Sequence, residues 1–160
     1  MSKAAAFLLA VPLALDPLAG ERPARYFPFA LDQARDTAIA LAGGKAITGT
    51  LCGGVDATMI EGIGARGPWS VMAEFEGGRV AAIEAIHREE PGAPEACAIA
   101  ASRRASVLPG GIDASFAADL AGLARVARAS WTEARVVYGV TARSFPDGLC
   151  DVTVRLTRAD

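Results

Sequence analysis

The stretch Trp69–Arg88, WSVMAEFEGGRVAAIEAIHR, is where the chain states its architecture most plainly. Up to Glu76, apolar and polar residues alternate. Trp69, Val71, Ala73 and Phe75 fall on one side, and Ser70, Met72, Glu74 and Glu76 on the other. That is the period of a strand with one dry and one wet face. Gly77-Gly78 comes next as a two-residue hairpin signal, because glycine accepts the positive φ that tight hairpin turns need. Arg79–Arg88 then reads as the returning strand. A hairpin joins antiparallel neighbours, which argues against single strands alternating with crossover helices.

Towards the C-terminus, Glu89-Glu90-Pro91-Gly92 breaks the strand. Pro94 suits the first turn of a helix, with Glu95 favoured by the helix dipole, and the helix is expected to run to about Ala105. Pro109-Gly110-Gly111 is a second break. Asp113 reads as the N-cap of another helix carrying Phe116, Leu120, Leu123 and Ala127 on one face and ending near Ser130. A last hairpin pairs Arg135–Arg143 with Leu149–Arg158 around the turn Ser144-Phe145-Pro146-Asp147-Gly148.

Towards the N-terminus, Lys45–Leu51 and Thr58–Ile63 are short strand candidates. Leu31, Ala34, Ala38 and Leu41 recur at spacings of three and four, which predicts a helix over Phe29–Ala42 stopped by Gly43-Gly44. Glu21–Pro28, with its prolines, reads as an extended lead-in. The expected fold class is α+β: an antiparallel sheet built largely from two hairpins, with about three helices packed on one face. Both hairpins sit beside a helix, but the order of elements around them differs, so no repeat is read.

The first twenty residues, MSKAAAFLLAVPLALDPLAG, have the layout of an export signal. Lys3 supplies a positive start, Ala4–Leu15 an apolar run, and Asp16–Gly20 a breaker with small residues. The run falls short of the roughly 20 residues that span a bilayer. Residues 1–20 are therefore expected to be a cleaved leader, with 21–160 a single domain. No cysteine directly succeeds the run, so no lipid anchor is expected. The competing reading is a buried N-terminal element of a cytoplasmic domain.

Composition narrows the function classes. The net charge is -2 and the 16 Lys+Arg form no basic block, so no nucleic-acid partner is expected. Gly62-Ile63-Gly64-Ala65-Arg66-Gly67 matches G-x-G-x-x-G, but a dinucleotide site needs a helix after the glycines. The residues after Gly67 read as a strand, so no cofactor is assigned. His87 is the only histidine, which excludes a site with two histidine ligands, and no metal is expected. Its place beside Arg88 and Glu89 reads as a solvated strand end. No serine stands in a G-x-S-x-G elbow. Glu74 and Glu76 share a strand face and read as wet-face residues more than as a catalytic carboxylate pair.

Three cysteines, Cys52, Cys97 and Cys150, leave one over after a single bridge. The pairing read as sterically easiest is Cys52 with Cys97, tying a strand end to a helix start, with Cys150 left over. Should the chain stay reduced, Cys97 in the first turn of its helix has a dipole-lowered pKa, and with His87 forms the candidate catalytic pair. Trp69, Phe75, Phe116 and Trp131 are candidate core anchors. An exposed Trp69 or Phe145 would mark a binding edge instead.

The function expected from these features is an exported, non-enzymatic domain acting by protein binding. Inhibitor, adaptor and envelope accessory factor are the forms it could take, in a periplasm or outside the cell. The alternatives are a small enzyme using Cys97 with His87, and a small apolar-ligand carrier with a pocket between sheet and helices.

Overall fold

The computed structural model describes residues 24–62, 67–89, 92–121 and 124–160; side chains of 119–124 are not described. The expected leader, residues 1–20, lies outside the described residues. A short strap of two strands, β1 (Arg25–Tyr26) and β2 (Phe29–Ala30), leads into helix α1 (Arg35–Ala42). Four strands come next: β3 (Ile47–Thr50), β4 (Asp56–Glu61), β5 (Ser70–Glu76) and β6 (Arg79–Glu89). Helix α2 (Pro94–Ser106) opens a second series: β7 (Ala117–Ala121), β8 (Ala124–Glu133), β9 (Val136–Ser144) and β10 (Cys150–Arg158).

These last eight strands form one antiparallel sheet in the order β3-β4-β5-β6-β10-β9-β8-β7. The order reads the same when β3–β6 is exchanged for β7–β10. Each half is a helix succeeded by four strands, and β6 meets β10 at the centre, with His87 opposite Val152 and Glu84 opposite Arg155. The molecule is thus an approximate duplication about an axis between β6 and β10. The repeat is legible in topology and hidden in sequence.

The expected fold needs correcting. Instead of two hairpins under about three helices, half of a mainly β molecule is built from residues 117–158, and the helices number two among the described residues. The segment read as a helix to Ser130 is the antiparallel pair β7–β8. Its alanines, acceptable in either element, let Phe116, Leu120, Leu123 and Ala127 mimic a helical face. Pairing decides the matter. Arg125–Glu133 hydrogen-bonds along β9 without interruption, and a partner strand overrides a weak local preference. Asp113 caps no helix and ends a 3-10 turn, Gly111–Asp113.

The first helix is also shorter than expected. Phe29 and Leu31 leave it to become core residues of the strap, 0% and 1% exposed, and Asp32 at φ 63 interrupts the helical path. Full burial of each such large side chain contributes roughly 1.5–3 kcal/mol.

Both helices and the strap lie on one face of the sheet. Val71, Ala73 and Phe75 of β5, Ile83 and Ala85 of β6, and Val152, Val154 and Leu156 of β10 supply that core from the sheet side. Ala38 of α1 and Ala101 and Ala105 of α2 supply it from above. Small helix residues against branched strand residues bring the layers close. Gly111 shows how close: a Cβ there would stand 2.1 Å from the Ala105 carbonyl oxygen and 2.7 Å from the Trp131 ring. No described element lies on the opposite face.

Candidate functional site

Cys97 and Cys150 form a disulfide, with Cα atoms 5.7 Å apart. The expected Cys52–Cys97 pairing is therefore corrected. Cys52 sits in the exposed turn between β3 and β4 and makes no disulfide. The reason is topological. α2 lies across β9 and β10, so its first turn stands over the start of β10, whereas β3 is the far edge of the sheet. A structural disulfide is the chemistry of an oxidising compartment. No helix among the described residues is long and apolar enough to cross a membrane.

The bridge also removes the Cys97 thiolate that the Cys97/His87 pair would need. His87 itself is not the solvated strand end expected from its charged neighbours. It points to the core face of β6 and is 3% exposed. Its Nε2 meets the Tyr26 hydroxyl of the strap. A neutral imidazole that accepts the Tyr26 proton at Nε2 carries its own proton on Nδ1, which is buried without a partner among the described residues. Burial lowers the His87 pKa to about 4; the Arg104 guanidinium pushes the same way, and Glu89 opposes it. Arg104 is held by Glu89 at 3.2 and 3.0 Å through Nε and Nη2. Burial raises the Tyr26 pKa. The cluster fastens strap, sheet and α2 together, with the His87 ring buried inside it.

The open face of the sheet is the most developed polar surface. Arg155 on β10 meets Glu84 on β6 and reaches past it to Glu74 on β5: Nη2 donates to Glu74 Oε2 at 2.8 Å and Nη1 to Glu84 Oε2 at 3.0 Å. Its pKa is raised, chiefly by the hydrogen bond to Glu74. The carboxylates that come together are thus Glu74 and Glu84, bridged by a guanidinium. The β-bulge at Glu74/Phe75 and the strand end leave Glu76 exposed and outside this group.

Further along the same two strands, Arg88 Nε donates to Asp151 Oδ1 at 3.0 Å. The Arg88 guanidinium lies 4.8 Å from the centre of the Trp69 ring. Trp69, a candidate core anchor, is 44% exposed at this edge, whereas Phe75 is buried and Phe116 and Trp131 are half-buried. Phe145 is half-buried at the β9–β10 turn. Between the two ion pairs and the second half of the sheet lies a depression of about 420 Å³, lined by Glu84, Ile86, Arg128, Thr141, Arg143 and Asp151. Among the described residues, neither Arg128 nor Arg143 has an acidic partner within ion-pair distance.

Arginine is the residue missed by reading motifs. The available signal was the alternation of Asp151, Thr153, Arg155 and Thr157 against the apolar Val152, Val154 and Leu156. It assigns a wet face without saying what crosses the seam to meet it. Of the G-x-G-x-x-G stretch, residues 63–66, the middle glycine Gly64 included, lie outside the described residues. The segment after them is strand β5, as the sequence indicated. No family model, no curated protein and no solved structure matches this chain.

Proposed function

We propose that this chain is an exported, non-enzymatic protein-binding domain of the periplasm or extracellular space, acting as an inhibitor, adaptor or envelope accessory factor. The observation that carries the reading is the uncovered face of the eight-stranded sheet. A broad surface studded with arginines and bordered by Trp69 suits a folded partner, since Trp and Arg are enriched where protein interfaces draw their energy. Arg128 and Arg143 favour a partner that brings acidic side chains to the second half of that face. The disulfide supports the exported setting, and its anchoring of α2 keeps the sheet rigid for recognition.

The test combines processing and contact. Intact mass of the protein from its native host should show loss of about 20 residues. A photo-crosslinking residue at Thr141 should capture a discrete partner there, and Arg128→Glu with Arg143→Glu should abolish the adduct. The same crosslinker at Ser102, on the exposed side of α2, should capture none. Retention of the leader, or an adduct indifferent to both charge reversals, overturns the reading.

A further inference from the structure

α2 packs over β9 and β10 but stops short of the outer strands. The space it leaves above β7 and β8 is a cleft of about 570 Å³. Ala118, Ala127 and Ala142 make its floor, and Ala98 of α2 its wall. Larger side chains at these positions would close the gap, as protein interiors ordinarily do. Four methyl groups leave it open and apolar, within the size range of small-molecule sites.

The polar groups gather at one end. Arg125 and Ser144 stand directly opposite each other on β8 and β9, and both line the cleft. Ser144 is 7% exposed and lines the cleft beside Arg125. A serine hydroxyl can donate a hydrogen bond to an anion. The N-terminus of α2, opened by Pro94, reaches the same end, and its dipole favours negative charge. Glu95 on the rim opposes an anion, but it is exposed and therefore screened.

We infer that this cleft binds an unbranched aliphatic chain ending in a carboxylate. The chain lies on the alanine floor, and the carboxylate accepts from the Arg125 guanidinium and the Ser144 hydroxyl. A peptide is the poorer fit: it carries an amide at every residue, and an alanine floor leaves those groups unsatisfied. The site lies on the helix side of the sheet, opposite the face assigned to protein binding, so either reading can fail without the other.

The experiment is calorimetric titration of the protein from its native host, its N-terminus defined by intact mass, with dodecanoate, dodecylamine and dodecanol below their aggregation limits. Dodecanoate should saturate at one per chain. Ala118→Trp, at an exposed position of the edge strand, should weaken it by at least about tenfold by filling the floor. Ala98→Leu fills the cleft from the helix side and should act in the same direction should Ala118→Trp fail to fold. Arg125→Gln should weaken dodecanoate roughly tenfold while moving dodecanol by no more than about twofold. The proposal is overturned by no saturable binding, by preference for dodecylamine, or by dodecanoate affinity that ignores both the filling variants and Arg125→Gln.

Discussion

The two halves of the sheet share one topology but hold their helices by different means. In the first half, α1 spans Arg35–Ala42 and is tied by its backbone: the Arg35 N–H donates to the Gly78 carbonyl at 2.9 Å, and the Arg35 guanidinium lies over the Phe75 ring at 5.5 Å. The strap residues Phe29 and Leu31 complete the core beside it. In the second half, the Gly92 N–H makes the equivalent bond to the Gly148 carbonyl at 3.0 Å, and α2 is then stapled covalently by Cys97–Cys150. The same problem, seating one helix over four strands, is solved by buried apolar area in one half and by a cross-link in the other. The difference teaches that topology sets where a helix must sit, while the means of holding it there is free to vary.

The largest expected effect tests the staple. Replacing both Cys97 and Cys150 by Ala removes a closure spanning 53 residues, which should lower unfolding free energy by roughly 4 kcal/mol. Denaturant titration measures the loss, and hydrogen exchange should place the loss of protection in α2 before α1. Equal loss in both helices would break the contrast between the halves.

A smaller effect probes the turns beyond each helix. Gly111 has no room for a side chain, so Gly111→Ala should cost about 3 kcal/mol by pushing the 3-10 turn off Ala105 and Trp131. Gly44, its counterpart after α1, has an ordinary φ, and a Cβ added there would meet nothing within 4 Å, so Gly44→Ala should stay within about 0.5 kcal/mol. Similar costs at the two positions would show that the halves are packed alike.

The third effect acts at the seam, where His87 of the first half faces Arg104 of the second and Tyr26 of the strap. Its folded pKa, about 4, lies below the ordinary histidine value of 6.5. The unfolded chain therefore takes the proton first. The associated stability is present above pH 6.5 and is lost as pH falls from 6.5 towards 4. The loss should be on the order of 2 kcal/mol. Comparing thermal unfolding of the parent and His87→Gln across that window isolates it, because carboxylate titrations common to both cancel. Parallel curves would remove His87 from the seam's energetics.

Legibility tracked the strength of local signals. The β5–β6 hairpin and the last hairpin declare themselves through alternation and glycine or Pro-Asp-Gly turns, and they stand within a residue of the expected limits. α2 begins at Pro94 because proline suits a position whose N–H has no helical partner. The β7–β8 pair was illegible because alanine satisfies both periods. Ala127, Ala129 and Trp131 do alternate with Arg128, Ser130 and Thr132, and that is the strand signal the helical spacing masked. The polar face was legible as a wet face and no further, because Glu74, Glu84 and Arg155 lie on three strands.

The sequence by itself determined the antiparallel character of the sheet, the position of α2 and the number of cysteines left for pairing, since these depend on neighbours along the chain. Tertiary structure decided the rest. The duplication about β6 and β10, the Cys97–Cys150 bridge and the burial of His87 under Tyr26 all depend on which distant strands become neighbours. That choice is made by pairing and burial across the whole sheet, a free energy that no local window of sequence contains.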